Sequence, residues 1–148
     1  MPSVRVRSES GFSLPELLVV MILIGVLAAI VLPQFLSQKR KGNDAATKSD
    51  VRNLVSVVSS CGVETRDYHE CDTKEEVGNP GFDFGNGPGQ VDVTALADDV
   101  FEVTGVSEAT SGGVNHRYTW QRDAAGHATR TCVAGPGNNE GGCTAGSW

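Results

Sequence analysis

One carboxylate lies where hydrocarbon is the expected solvent. Glu16 follows Gly11-Phe12-Ser13-Leu14-Pro15 and precedes Leu17–Leu32, a run without a charged residue. An ionisable group at such a threshold costs about 2.5–3.5 kcal/mol on insertion scales, so it is expected to work and to have a partner. Cysteine supplies the second chemistry. Cys61, Cys71, Cys132 and Cys143 all lie outside the apolar run. An even number in a small exported domain favours disulfides over a metal, and four cysteines allow three connectivities. With nine residues inside the first pair and ten inside the second, the spacings favour Cys61–Cys71 and Cys132–Cys143. Each closed loop is worth on the order of 2–3 kcal/mol through restriction of the unfolded chain. A cysteine zinc site would want a short C-x-x-C-like pair, and none occurs.

The remaining groupings point away from catalysis. Ser, His and Asp are present, but no G-x-S-x-G elbow and no H-E-x-x-H motif accompanies them. His69, His116 and His127 are scattered and read as surface or strand residues rather than metal ligands. The acidic pairs Glu75-Glu76 and Asp98-Asp99 lie outside any D-x-[DN]-x-[DN]-G loop. Arg117, Arg122 and Arg130 interleave with Tyr118 and Trp120, a mixture that binds single-stranded nucleic acid on some sheets. Strand alternation, however, turns the two aromatics away from Arg117 and into a core. The formal charge of −6 also disfavours phosphate binding. No metal, no cofactor, no enzyme activity and no direct nucleic-acid binding are expected.

The elements that position Glu16 and the cysteines are read from the pattern. Met1 to Gly11 carries Arg5 and Arg7, then a polar stretch, Ser8-Glu9-Ser10-Gly11, before the apolar run. An ordinary secretory signal is cut after its apolar region at a small-x-small site. Here the exit reads Leu32-Pro33-Gln34-Phe35, whereas the small and polar residues precede the run, so cleavage before the run fits better. As a plain anchor the run is a little short of the ~20 residues that span comfortably. Arg5 and Arg7 favour a cytoplasmic N-terminus, but Lys39-Arg40-Lys41 pulls the other way.

The segment from about residue 5 to residue 60 resembles the N-terminus of type IV prepilins and pseudopilins. Gly11 matches the residue before the prepilin-peptidase cut, Phe12 the first mature residue with its methylated amine, and Glu16 the acid four residues on. Gly25 and Pro33 match the ends of a segment that loses helix on assembly in such filaments. Pro15 departs from the branched apolar residue commoner there. The resemblance implies a membrane precursor, cut by prepilin peptidase, that polymerises with copies of itself through an assembly machine into a helical surface filament. A type II secretion or competence pseudopilin is the alternative within that family. A monomeric membrane-anchored binding module is the alternative outside it. Loss of Arg5, Arg7 and Glu9 with the leader would take the formal charge from −6 to −7.

The expected architecture is α+β, a long N-terminal helix packed on a small antiparallel sheet. Residues 1–11 form the leader, 12–36 the hydrophobic transmembrane or filament-core helix, and 37–60 an amphipathic helix. Residues 61–98 form a connecting loop region, 99–134 the sheet head and 135–148 a disulfide-bounded C-terminal loop. Pro15 is tolerated in a first helical turn. Val51, Leu54, Val55 and Val58 make one apolar stripe. Leu14 to Ser59 as one helix would measure about 69 Å, with Gly25, Pro33 and Gly42 as its weak points. Gly78-Asn79-Pro80-Gly81 and Gly85-Asn86-Gly87-Pro88-Gly89 are turn material, with Phe82 and Phe84 pinning the loop to the head. Three strands follow, Val100 to Val106, Val114 to Gln121 and His127 to Val133, joined as a meander through Ser111-Gly112-Gly113 and Asp123-Ala124-Ala125-Gly126.

Overall fold

The computed structural model describes residues 11–78 and 81–148. Residues 1–10 of the expected leader, with Arg5 and Arg7, lie outside the described residues, as does Asn79-Pro80 of the first expected turn. The chain divides into two compact units, Met1–Leu36 and Ser37–Trp148. It is α+β: one helix, α1 (Leu14–Thr65), and a four-stranded antiparallel sheet.

In the first unit the helix has no tertiary partner among the described residues. The large apolar side chains from Leu14 to Leu36 are about half exposed or more, Val20 least at 48% and Leu14 most at 79%. Helix continues through Gly25 and Pro33. By length and composition this segment is long and apolar enough to cross a membrane.

The second unit has its own core. Along α1 the buried positions are Asp44, Thr47, Val51, Leu54 and Val58, spaced alternately three and four apart as one helical face requires. The expected stripe is there, with Val55 at its margin, and it continues towards the N-terminus as two polar residues. The helix ends at Thr65 rather than near residue 60. Arg66 adopts φ +64° and returns its N–H to the Gly62 carbonyl at 3.0 Å, a left-handed cap that closes the last turn.

The sheet has four strands in the order β1 (Gln90–Ala97), β2 (Val100–Ser111), β3 (Val114–Arg122) and β4 (Ala128–Val133). Strand β1 occupies a segment expected to be loop, so the connecting region is shorter than 61–98. Only Val91 and Val93 of β1 are buried, and the strand lies at the sheet edge with β2 on one side. Its pairing, from Gln90↔Val106 to Ala97↔Val100, is supplied by β2. Ala and Leu at 95–97 carry little strand preference of their own. Between β2 and β3, Gly112 and Gly113 take φ +62° and +81°, as a two-residue hairpin turn requires.

The inner face presents Val91, Val93, Phe101, Val103 and Tyr118 to the helix stripe. Phe101 packs between Tyr68 and Trp120 at centroid distances of 4.4 and 5.2 Å. Gly105 sits where the helix comes closest: a Cβ there would lie 2.6 Å from Val51 Cγ2 and 2.7 Å from Thr47 Cγ2. Cys61 is bonded to Cys71 and Cys132 to Cys143. Tyr118, Cys132, Ala134 and Cys143, with Trp148 against them, form a second small cluster under the C-terminal loop.

Candidate functional site

The first unit brings Gly11, Phe12 and Glu16 together at the start of α1. Ser13 is the residue that sets their geometry. Its backbone N–H donates to Glu16 Oε2 at 3.0 Å and its hydroxyl donates to the same oxygen at 2.8 Å. Leu17 N–H and Glu16 N–H reach back to the Ser13 carbonyl at 3.3 and 3.1 Å. Ser13 therefore begins the helix, and Glu16, three residues on, turns back to satisfy its N–H, the capping-box arrangement. The signal for it is legible as S-x-x-E at 13–16, and it is passed over when Glu16 is weighed by its charge alone.

Phe12 is 85% exposed just ahead of this cap. With Pro15, Glu16, Val19 and Val20 it lines an open hollow of about 440 Å³. The arrangement is a carboxylate held by the helix cap and rimmed by apolar side chains, four residues after Phe12. Chemically it can accept a cation and pack against another apolar surface. Gly25 and Pro33 lie further along the same helix and do not line this hollow.

A second polar grouping, in the other unit, has no counterpart among the sequence motifs. His116 is 2% exposed, not a surface residue, and its Nδ1 lies 3.0 Å from both carboxylate oxygens of Asp44, itself 1% exposed. Ser111 Oγ lies 2.8 Å from His116 Nε2, and the same hydroxyl donates to the Glu140 carboxylate. Tyr118 O–H and Lys48 Nζ both donate to the Gly141 carbonyl, at 3.0 and 2.8 Å. A Cβ on Gly141 would run into Asp44 and the Tyr118 hydroxyl, and φ there is +59°, so only glycine fits. Burial first, and then the neighbouring Asp44 carboxylate, push the Tyr118 phenol above its ordinary range.

Asp, His and Ser thus lie in the order of contacts that a hydrolase would use. Two features argue against that chemistry. The Ser111 proton is directed to Glu140, and the neighbouring cavity of about 370 Å³ is lined by Asp44, His116, Glu140 and the basic Arg40 and Lys41, not by Ser111. The network instead ties three parts of the second unit together: helix through Asp44, sheet through His116, C-terminal loop through Glu140 and Gly141. Elsewhere, Asp67, His69 and Asp98 bring possible ligand atoms within 4.8 Å of one another. Asp67 Oδ1 is already engaged there by the His69 N–H at 2.8 Å.

Residues 6–32 match the family described as the prokaryotic N-terminal methylation motif. In this stretch the chain is similar to type IV pilins and to type II secretion pseudopilins. It is 30% identical over 80 residues to the type II secretion system core protein G of Pseudomonas aeruginosa, covering 50% of this chain and 56% of that protein. To a fimbrial protein of Pseudomonas aeruginosa it is 28% identical over 112 residues, covering 72% of this chain and 73% of the other. To the type IV wide pilus major component PilA4 of Thermus thermophilus it is 29% identical over 62 residues, covering 42% and 47%. The chain spans about half the length of the secretion-system proteins it matches, 56% and 43% of the first two. No solved structure matches it significantly. The pilin-like likeness therefore rests most heavily on the N-terminal unit, where Gly11, Phe12 and Glu16 lie.

Proposed function

We propose that the protein is a filament-forming structural subunit, made as a membrane precursor and assembled into a type IV pilus-like filament on the cell surface. One observation carries this reading. A helix segment of more than twenty residues leaves every large apolar side chain at least 48% exposed, with a single capped carboxylate at its threshold. A monomer in water does not keep such a surface, whereas lipid before assembly and sister helices after it both cover it.

In this reading prepilin peptidase cuts between Gly11 and Phe12, and the freed Phe12 amine is methylated. That amine is a cation at nearly the depth of Glu16. Glu16 then exchanges its Ser13 contacts for the amine of its own or a neighbouring chain, which gives attraction and axial register at once. Gly25 and Pro33 mark the stretch where helix is given up on assembly, glycine and proline being the residues least costly to unwind. The partners are identical copies, the peptidase, the membrane and an assembly machine. The polar lock of the second unit does no chemistry; it fixes the head that the filament displays.

The identity to secretion-system proteins supports a second reading, a pseudopilin whose filament is short and periplasmic. Electron microscopy of sheared surface filaments, with mass spectrometry of their subunit, separates the two. Surface filaments whose subunit begins at methylated Phe12 support the pilus. A subunit cut at Phe12 but retained with the envelope supports the pseudopilin. An uncut chain with Arg5 and Arg7 still attached would reject both and leave the anchored binding module.

A further inference from the structure

Among the described residues, no Lys or Arg lies within ion-pair distance of an Asp or Glu; the three pairs present all involve histidine. The cations inside the second unit are held by other means. Lys48 lies over the Tyr118 ring, and Arg52 and Arg130 lie over Trp148 at 5.2 and 5.5 Å. Lys39, Arg40 and Lys41 have neither an aromatic nor a hydrogen-bonded partner among the described residues, and all three are exposed. At the other end of the same helical stretch the sign reverses. Six acids and two bases fall between Glu64 and Glu76. Of these, Glu64, Glu70 and Glu75 are exposed and use no side-chain oxygen in a hydrogen bond to a described residue.

We propose that the basic collar Lys39-Arg40-Lys41 of one copy docks on the acidic collar at Glu64, Glu70 and Glu75 of a second copy. This docking rests on the filament reading and gives it an electrostatic joint in the head, separate from Glu16. Charges of opposite sign kept apart within one chain, and left without internal partners, are complementary only between chains. From residue 40 to residue 64 the helix rises about 36 Å. Parallel copies displaced axially by about that distance bring collar onto collar, whereas copies in register set like charge against like. The collars thus select an offset as well as a partner, which is the usual contribution of surface charge to an interface.

The test places a photoreactive residue at Gln38 of the full-length protein in its native envelope and maps crosslinks by mass spectrometry. The expected product joins position 38 of one copy to a peptide within residues 64–76 of another. Triple reversal Lys39→Glu, Arg40→Glu and Lys41→Glu should reduce that product about ten-fold, as should Glu64→Lys, Glu70→Lys and Glu75→Lys. The two reversals combined should restore it to within about three-fold of wild type, the signature of direct coupling. The level of cut subunit with both disulfides intact, measured alongside, separates lost docking from lost folding. Crosslinks only to lipid would assign the basic collar to anionic headgroups and overturn the proposal. Crosslinks to a second copy elsewhere, or reversals that fail to compensate, would also overturn it. Filaments present with crosslinks elsewhere reject the collar and keep the filament; collar crosslinks in an envelope that yields no filaments keep the collar and reject the filament.

Discussion

The two units solve opposite problems. In Ser37–Trp148 nearly every demand is met from within: an apolar stripe covers a sheet face, two disulfides close loops, and buried Asp44 and His116 satisfy each other. In the described part of Met1–Leu36 almost nothing is met from within. Its large apolar side chains are bare, and its one charged group borrows hydrogen bonds from its own cap. The difference teaches how to read each. Changes in the buried core of the second unit should act on folding of a single chain, and changes in the first unit or in the exposed charged collars on processing or on association.

The contrast is sharpest at the proposed cut site. Gly11→Val should abolish mature chains beginning at Phe12 and leave an uncut precursor in the membrane, since a side chain beside the scissile bond bars close approach of a peptidase. Normal Phe12 termini in that variant, read by mass spectrometry, would remove Gly11 from the site. In the second unit the largest effect should come from Cys132→Ser with Cys143→Ser. Opening that loop should lower stability by about 2–4 kcal/mol, measured by denaturant unfolding, while cleavage at Gly11 continues. Gly105→Ala comes next. Its Cβ would fall 2.6 Å from Val51 and 2.7 Å from Thr47, so helix and sheet must separate locally at about 1–3 kcal/mol. An unchanged midpoint would mean that the stripe does not pack on Gly105.

Much of this division is legible in the amino-acid sequence itself. Charge-free residues between Glu16 and Lys39 announce the first unit, and the Val51, Leu54, Val58 spacing announces the helix face of the second. Strands β2 to β4 show themselves by β-branched and aromatic alternation. Strand β1 does not, because Val91 and Val93 are followed by Ala95-Leu96-Ala97, and the strand is set mainly by its pairing with β2, with one bridge from Phe84 to Val91 on its other side. His116 lies on a strand, as one of its two expected readings has it, but its burial is not legible for a related reason. A histidine in an alternating strand looks solvated until Asp44, 72 residues earlier, is known to lie against it. Ser13 is the opposite case, since its capping-box partner is only three residues away and visible in sequence.

The smallest expected effect follows from that cap. Ser13→Ala removes the hydroxyl contact to Glu16 but keeps the backbone N–H, so helix stability should fall by about 0.5–1 kcal/mol. Filament yield should change little, because in the proposed pairing assembly uses Glu16 and not its cap. A large loss of filaments from Ser13→Ala, with cleavage intact, would transfer to the cap a role here given to the carboxylate.

Glu16→Leu tests the pairing of carboxylate and amine most directly. The substitution makes the segment more apolar, so the chain should insert and be cut after Gly11 as before. Filaments counted by electron microscopy at matched levels of cut subunit should be absent or very few, because the carboxylate that pairs with a Phe12 amine is gone. Wild-type numbers of well-ordered filaments from cut Glu16→Leu subunits would contradict that pairing.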